Sequence, residues 1–137
     1  MKPTILVIED HEQNRYLMKY LLEAHDCQVI LTENGHDGIQ AAKEIEPDLI
    51  LLDIQLPGIS GHDVARILQA DSALSTIPII AVTSYAMPGD REQAMASGCT
   101  GYIEKPIDPD KFVDEIFLFL VQRPDSGERS SAATIGG

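Results

Sequence analysis

Four short, nearly unbroken apolar runs punctuate the chain, Thr4 to Ile8, Cys27 to Leu31, Leu49 to Leu52 and Ile77 to Val82, with a weaker fifth at Thr100 to Ile103. Apolar residues at every position, rather than at every second one, mark strands covered on both faces, the environment of a parallel sheet. Parallel neighbours need crossover connections, and the segments between the runs have helical period. Leu17, Met18, Leu21 and Leu22 share one helix face, Ile39, Ala42 and Ile45 share another, and Val64, Ile67 and Leu68 mark a third helix. A short fourth helix is expected from Pro88 to Ala96, with proline near its first turn and Ser97-Gly98 at its end, and a fifth from Pro109 to Val121. In the fifth, Phe112, Ile116, Phe119 and Leu120 can face the sheet while Val113 and Phe117 project elsewhere, surplus apolar surface that suits either an interface or deep burial.

Five alternations of strand and helix give an α/β fold, a doubly wound parallel sheet with helices on both faces. Sheets of this kind bind ligands outside the carboxyl ends of their strands. With 137 residues the chain is sized for one domain. Asn34-Gly35 reads as a turn before the second helix. After Gln122 the composition shifts to Arg123-Pro124-Asp125-Ser126-Gly127 and then Ser, Ala and Gly, so residues 1–122 are expected to form the domain and 123–137 a disordered tail.

Composition narrows the function. The formal net charge of -12, with only 10 basic residues and those scattered, excludes a nucleic-acid surface, which needs clustered Lys and Arg. No apolar run approaches the roughly 20 residues that span a bilayer, and Ile5 to Ile8 is too short for a signal peptide's apolar segment, so a cytoplasmic protein is expected. Cys27 and Cys99 have no disulfide or zinc-site spacing and read as packed free thiols. His11, His25, His36 and His62 show no ligand spacing and read as solvent-facing side chains, although His11 follows Asp10 directly and could border the carboxylates discussed next.

Those carboxylates stand where the sheet should do its chemistry. Glu9 and Asp10 end the first strand, Asp53 ends the third, Thr83 and Ser84 end the fourth, and Lys105-Pro106 follows the fifth. One acid after a strand ordinarily caps a helix, and Asp10 alone would be read that way. Three carboxylates brought together repel one another unless a cation neutralises them, and a hard divalent ion such as Mg²⁺ prefers such oxygen ligands. Asp53 is then a candidate nucleophile for phosphoryl transfer, expected to be ionised without a separate base. Mg²⁺ and Lys105 could balance added phosphoryl charge, and Thr83 could donate a hydrogen bond.

The segments Ile5-Leu6-Val7-Ile8-Glu9-Asp10, Asp48-Leu49-Ile50-Leu51-Leu52-Asp53-Ile54-Gln55-Leu56-Pro57-Gly58, Gly61, Ala81-Val82-Thr83-Ser84 and Gly101-Tyr102-Ile103-Glu104-Lys105-Pro106 resemble, in order and spacing, the receiver domains of bacterial two-component response regulators. The likeness covers about residues 3 to 122, and Ala86-Met87 is similar to stand-alone members of the family. It implies a flavodoxin-like sheet of order 2-1-3-4-5 and phosphorylation of Asp53 by a histidine kinase or a phosphohistidine transfer protein. It further implies Mg²⁺ held by Asp10, Asp53 and the carbonyl of Gln55, with Glu9 acting through water. Thr83 and Tyr102 would be a switch pair that remodels the face of the fourth helix, fifth strand and fifth helix for a downstream protein or a second copy of the chain. Lys105-Pro106 would be cis, and the phosphohistidine donor would dock beside Asn14 and Arg15 at exposed positions of the first helix. The family's commonest first acid is Asp, so Glu9 is a departure that bears on metal geometry.

Two rivals remain. A phosphatase of the haloacid dehalogenase type also forms an aspartyl phosphate, but it places a second Asp two residues on, where this chain has Gln55, which cannot transfer protons in that role. The chain is therefore expected to be a signalling acceptor with slow dephosphorylation rather than a turnover enzyme. A receiver that signals without phosphate would keep the fold. No G-x-G-x-x-G follows a strand, which leaves a dinucleotide site unsupported.

Overall fold

The computed structural model describes residues 2–84 and 87–122; the expected tail and Ala86 lie outside them. Strands β1 (Thr4–Ile8), β2 (Gln28–Thr32), β3 (Leu49–Asp53), β4 (Ile79–Thr83) and β5 (Gly101–Glu104) alternate with helices α1 (Glu12–Glu23), α2 (Gly35–Ile45), α3 (Gly61–Ala70), α4 (Asp90–Ala96) and α5 (Pro109–Gln122). All pairings are parallel and the order is β2-β1-β3-β4-β5, the sheet the resemblance implied.

Successive strand residues point to opposite faces, which splits each apolar run between two cores. Leu6, Ile8, Ile50, Leu52, Ile79 and Ala81 pack with Ala42, Val64, Leu68 and Ala94 on the side of α2, α3 and α4. Ile5, Val7, Leu49, Leu51, Ile80 and Val82 pack with Met18, Leu22, Phe112 and Ile116 on the side of α1 and α5.

Where bounds differ from the sequence pattern, one backbone group explains each case. Cys27 precedes β2 because its N–H is spent on the carbonyl of Leu22 at the end of α1. Pro78 lacks an N–H and contributes only its carbonyl, to Ile50, so β4 starts after it. Gly89 adopts φ 89, a left-handed turn that a helix cannot continue, and α4 starts at Asp90 instead of Pro88. In α5, Val113 is buried and Phe117 packs half-buried against the core, the deep-burial alternative, and the large apolar residues left exposed are Leu118 and Val121. Ile45 and Ile67 are also exposed; the inward stripe of α3 is carried by Val64, Ala65 and Leu68. Both cysteines are free and buried. Among the described residues no helix is long and apolar enough to cross a membrane.

Candidate functional site: an acidic pocket at the carboxyl edge

Register decides which residues meet. Ile8 pairs with Leu52, so Glu9 and Asp10 emerge beside Asp53, the last residue of β3. Asp53 pairs with Val82, which puts Thr83 at the next position along the same edge. Thr83 pairs with Glu104, and the N–H of Lys105 donates to the carbonyl of Thr83 at 2.7 Å, bringing Lys105 in from the fifth strand. The Lys105-Pro106 bond is cis.

Glu9, Asp53 and Thr83 are buried and Asp10 is half-buried. The Lys105 ammonium lies 2.9 Å from Glu9 Oε1 and 3.7 Å from Asp53 Oδ2. Asp53 Oδ1 accepts the backbone N–H of Gln55 at 2.9 Å. Asp53 Oδ2, though buried, accepts no hydrogen bond among the described residues. Glu9, Asp10, His11 and Asp53 each offer a donor atom, all within 4.8 Å of one another. Three carboxylates against one ammonium leave the pocket with excess negative charge. Asp10 is not spent on capping, because the N-cap of α1 is His11 and makes no side-chain cap bond. A hard cation with oxygen ligands fits this donor set and the open Asp53 oxygen.

Burial first, then the charge of Glu9 and a hydrogen bond with Asp10, raise the Asp53 carboxyl from 3.8 to about 7, against the opposing pull of the Gln55 N–H and Lys105. Without a cation, therefore, Asp53 carries a proton in much of the population at neutral pH. The expectation of an ionised nucleophile belongs to the cation-loaded pocket; without the ion, burial and like charge outweigh the single ammonium.

Two features lay beyond the sequence reading. The Gln55 carboxamide crosses the pocket, its Nε2 donating to Thr83 Oγ1 and its Oε1 accepting the N–H of Ser84 at 3.1 Å. Only a planar group with a donor and an acceptor can make both bonds. Arg15, expected to be exposed, is buried, and its Nη1 donates to the carbonyls of Glu9 at 3.1 Å and Asp10 at 3.0 Å. Its position one turn into α1, facing the acidic loop, was the available signal. Tyr102 is half-buried on β5 with Arg91 over its ring, 5.5 Å from the centroid. It borders a groove of about 290 Å³ that also includes Pro106, Lys111 and Phe112. Tyr102 and Thr83 therefore sit on adjacent strands, and Tyr102 lies apart from the carboxylates.

The parallel order, the acidic pocket at the carboxyl edge and the lysine after β5 together define a receiver domain. A sequence model of the response regulator receiver domain matches residues 5–117, and the chain belongs to that family of two-component signalling proteins. It is similar to the polar-differentiation response regulator DivK of Brucella anthropi, 43% identical over 120 residues, which are 88% of this chain and 98% of that protein. Among solved structures it is similar to the receiver domain of the sensor histidine kinase PA1611 of Pseudomonas aeruginosa PAO1, which has a magnesium ion coordinated in its active-site cleft. That likeness has a TM-score of 0.82 at 27% identity and covers 89% of this chain and 100% of the other. A response regulator of Chloroflexus aurantiacus shares the fold with a TM-score of 0.85 at 21% identity, over 89% of this chain and 100% of that one. Receiver domains bind Mg²⁺ at an acidic pocket and interact with histidine kinases and downstream proteins.

Proposed function

We propose that Asp53 is the phosphoryl acceptor of a phosphorelay, charged from a phosphohistidine on a histidine kinase or transfer protein. One observation carries this reading: Asp53 Oδ2 is a buried carboxylate oxygen with no hydrogen bond among the described residues, placed between two more carboxylates and a lysine. In the transfer, Asp53 attacks phosphorus, the phosphorus–nitrogen bond breaks, the departing histidine takes up a proton and an acyl phosphate remains. Asp10, Asp53 and the Gln55 carbonyl are the proposed Mg²⁺ ligands, with Glu9 acting through water. Bound Mg²⁺ would favour the ionised Asp53 and offset charge on the transferring oxygens. Lys105, already paired to Glu9 and near Asp53, holds positive charge on the inner side.

Thr83 and Tyr102 form the proposed switch. A phosphoryl group adds about 1.5 to 2 negative charges and new acceptor oxygens, which attract the Thr83 hydroxyl away from Gln55. Inward movement of Tyr102 would then change the outer face of α4, β5 and α5, where a downstream protein or a second copy can dock. The phosphatase alternative is disfavoured because the Gln55 amide is occupied by Thr83 and Ser84 and carries no titratable proton.

The test is incubation with acetyl phosphate and Mg²⁺, read by intact mass and peptide mapping. One phosphoryl group on Asp53, absent from Asp53→Asn, supports the assignment; labelling elsewhere, or rapid turnover of generic phosphate esters, refutes it.

A further inference from the structure

The fourth donor in the pocket is a nitrogen. His11 Nδ1 lies 3.3 Å from Glu9 Oε2 and 3.4 Å from Asp10 Oδ1, and the side chain is 65% exposed, so the ring reaches the carboxylates from the solvent side while Lys105 is buried. We propose that His11 makes this pocket a mixed nitrogen–oxygen site, which captures a first-row transition cation such as Co²⁺ or Zn²⁺ in competition with Mg²⁺. The inference rests on the cation-assisted acceptor reading above and adds a regulatory ligand to the same site.

Three observations converge. First, a tetrahedral ion with bonds of about 2.0 to 2.1 Å separates neighbouring donor atoms by roughly 3.3 to 3.4 Å; the two separations from the His11 nitrogen already fall there. Second, Asp53 belongs to the same group of donors within 4.8 Å, and its Oδ2 is buried and lacks a hydrogen bond among the described residues, so this side chain can complete the shell. Third, the residue types discriminate between metals. Carboxylates and carbonyls suit Mg²⁺, whereas imidazole suits Zn²⁺ and its first-row neighbours, and Mg²⁺ keeps several waters and has little use for a nitrogen donor. His11 therefore adds affinity for one class of cation and leaves the other nearly unchanged. A cation held by His11 together with Glu9 and Asp10 competes with Mg²⁺ for Asp10, so the balance of the two cation classes sets which ion occupies the pocket.

The experiment is calorimetric titration of the full chain with Co²⁺, Zn²⁺ and Mg²⁺, alone and in competition, for wild type, His11→Ala and His11→Asn. The expected result is a loss of about tenfold or more in Co²⁺ and Zn²⁺ affinity in both variants, with Mg²⁺ affinity within about twofold of wild type. Imidazole ¹⁵N spectra provide a second readout: Zn²⁺ should shift the resonance of His11, while those of His25, His36 and His62 stay in place. Wild-type Co²⁺ and Zn²⁺ affinity in both variants, with Mg²⁺ binding intact, would overturn His11 ligation and leave the ring as a mere neighbour of Glu9 and Asp10. Shifts confined to other histidines would overturn it too. Failure of the wild type to bind Mg²⁺ at all would instead overturn the acceptor-site reading beneath it, a result distinct from the others.

Discussion

Replacing Asp53 by Asn should stabilise the cation-free protein, and the gain should grow with pH. The carboxyl titrates at 3.8 when unperturbed and at about 7 in the folded chain. About three pH units, at 1.36 kcal/mol each, amount to something on the order of 4 kcal/mol for ionising Asp53 in its place. Part of that strain belongs jointly to Glu9, which stays in the variant and keeps its partner Lys105, so about 2 to 4 kcal/mol is expected. The sign follows from proton counting. Below about pH 4 folded and unfolded chains both hold the proton, and the contribution vanishes. Between about pH 4 and 7 the folded chain retains a proton that the unfolded chain has released, so stability falls as pH rises, and above about 7 the full penalty persists. Urea unfolding followed by far-ultraviolet circular dichroism in EDTA, at pH 4.5 and pH 8, gives the comparison. Asp53→Asn should be clearly more stable than wild type at pH 8 and more stable by only about 1 kcal/mol at pH 4.5, and saturating Mg²⁺ should shrink the difference at pH 8. Equal stabilities at pH 8 without a cation, or the same gain at both pH values, would refute the argument that burial and Glu9 hold Asp53 out of its ionised form.

Asp10→Asn should weaken Mg²⁺ binding by about tenfold or more, because one of the proposed direct ligands loses its charge; calorimetry at neutral pH checks it. Gly61→Ala would put a Cβ 2.5 Å from the carbonyl oxygen of Asp53 and 2.6 Å from Ile54 Cα, so denaturation should show a loss of about 1 to 3 kcal/mol together with shifted amide resonances at Asp53. Gln55→Ala removes both bonds across the pocket, and the Thr83 and Ser84 amides should broaden or shift in the resting protein while overall stability changes by no more than about 1 to 2 kcal/mol. In Thr83→Ala, Asp53 should still be phosphorylated, but beryllium fluoride should no longer move the Tyr102 resonances; a full-sized response would show that the signal takes another route.

The fold was legible because strands buried on both faces write themselves as continuous apolar runs, and residues such as Leu51 and Leu52, consecutive in sequence, serve opposite cores. The acids and Lys105 were legible because each follows such a run, and the strand ends of a parallel sheet share an edge. What escaped depends on side-chain direction. Nothing in the spacing of Gln55, in the loop after β3, and Thr83, the last residue of β4, says that the amide will reach the hydroxyl. Arg15 looks like a surface residue of an amphipathic helix until the carbonyls of Glu9 and Asp10 are seen to need donors. The protonation of Asp53 depended on depth, which sequence order does not report.

The Arg15 contact has a mechanical consequence. Its guanidinium bonds backbone carbonyls rather than carboxylates, so the link between α1 and the Glu9-Asp10 loop does not depend on the ionisation of the carboxylates. That link is already in place in the cation-free protein. Exchange of one ion for another would then involve water and ligand oxygens rather than rebuilding of the backbone, and a protein gripping α1 would pull on the loop that carries the proposed ligands.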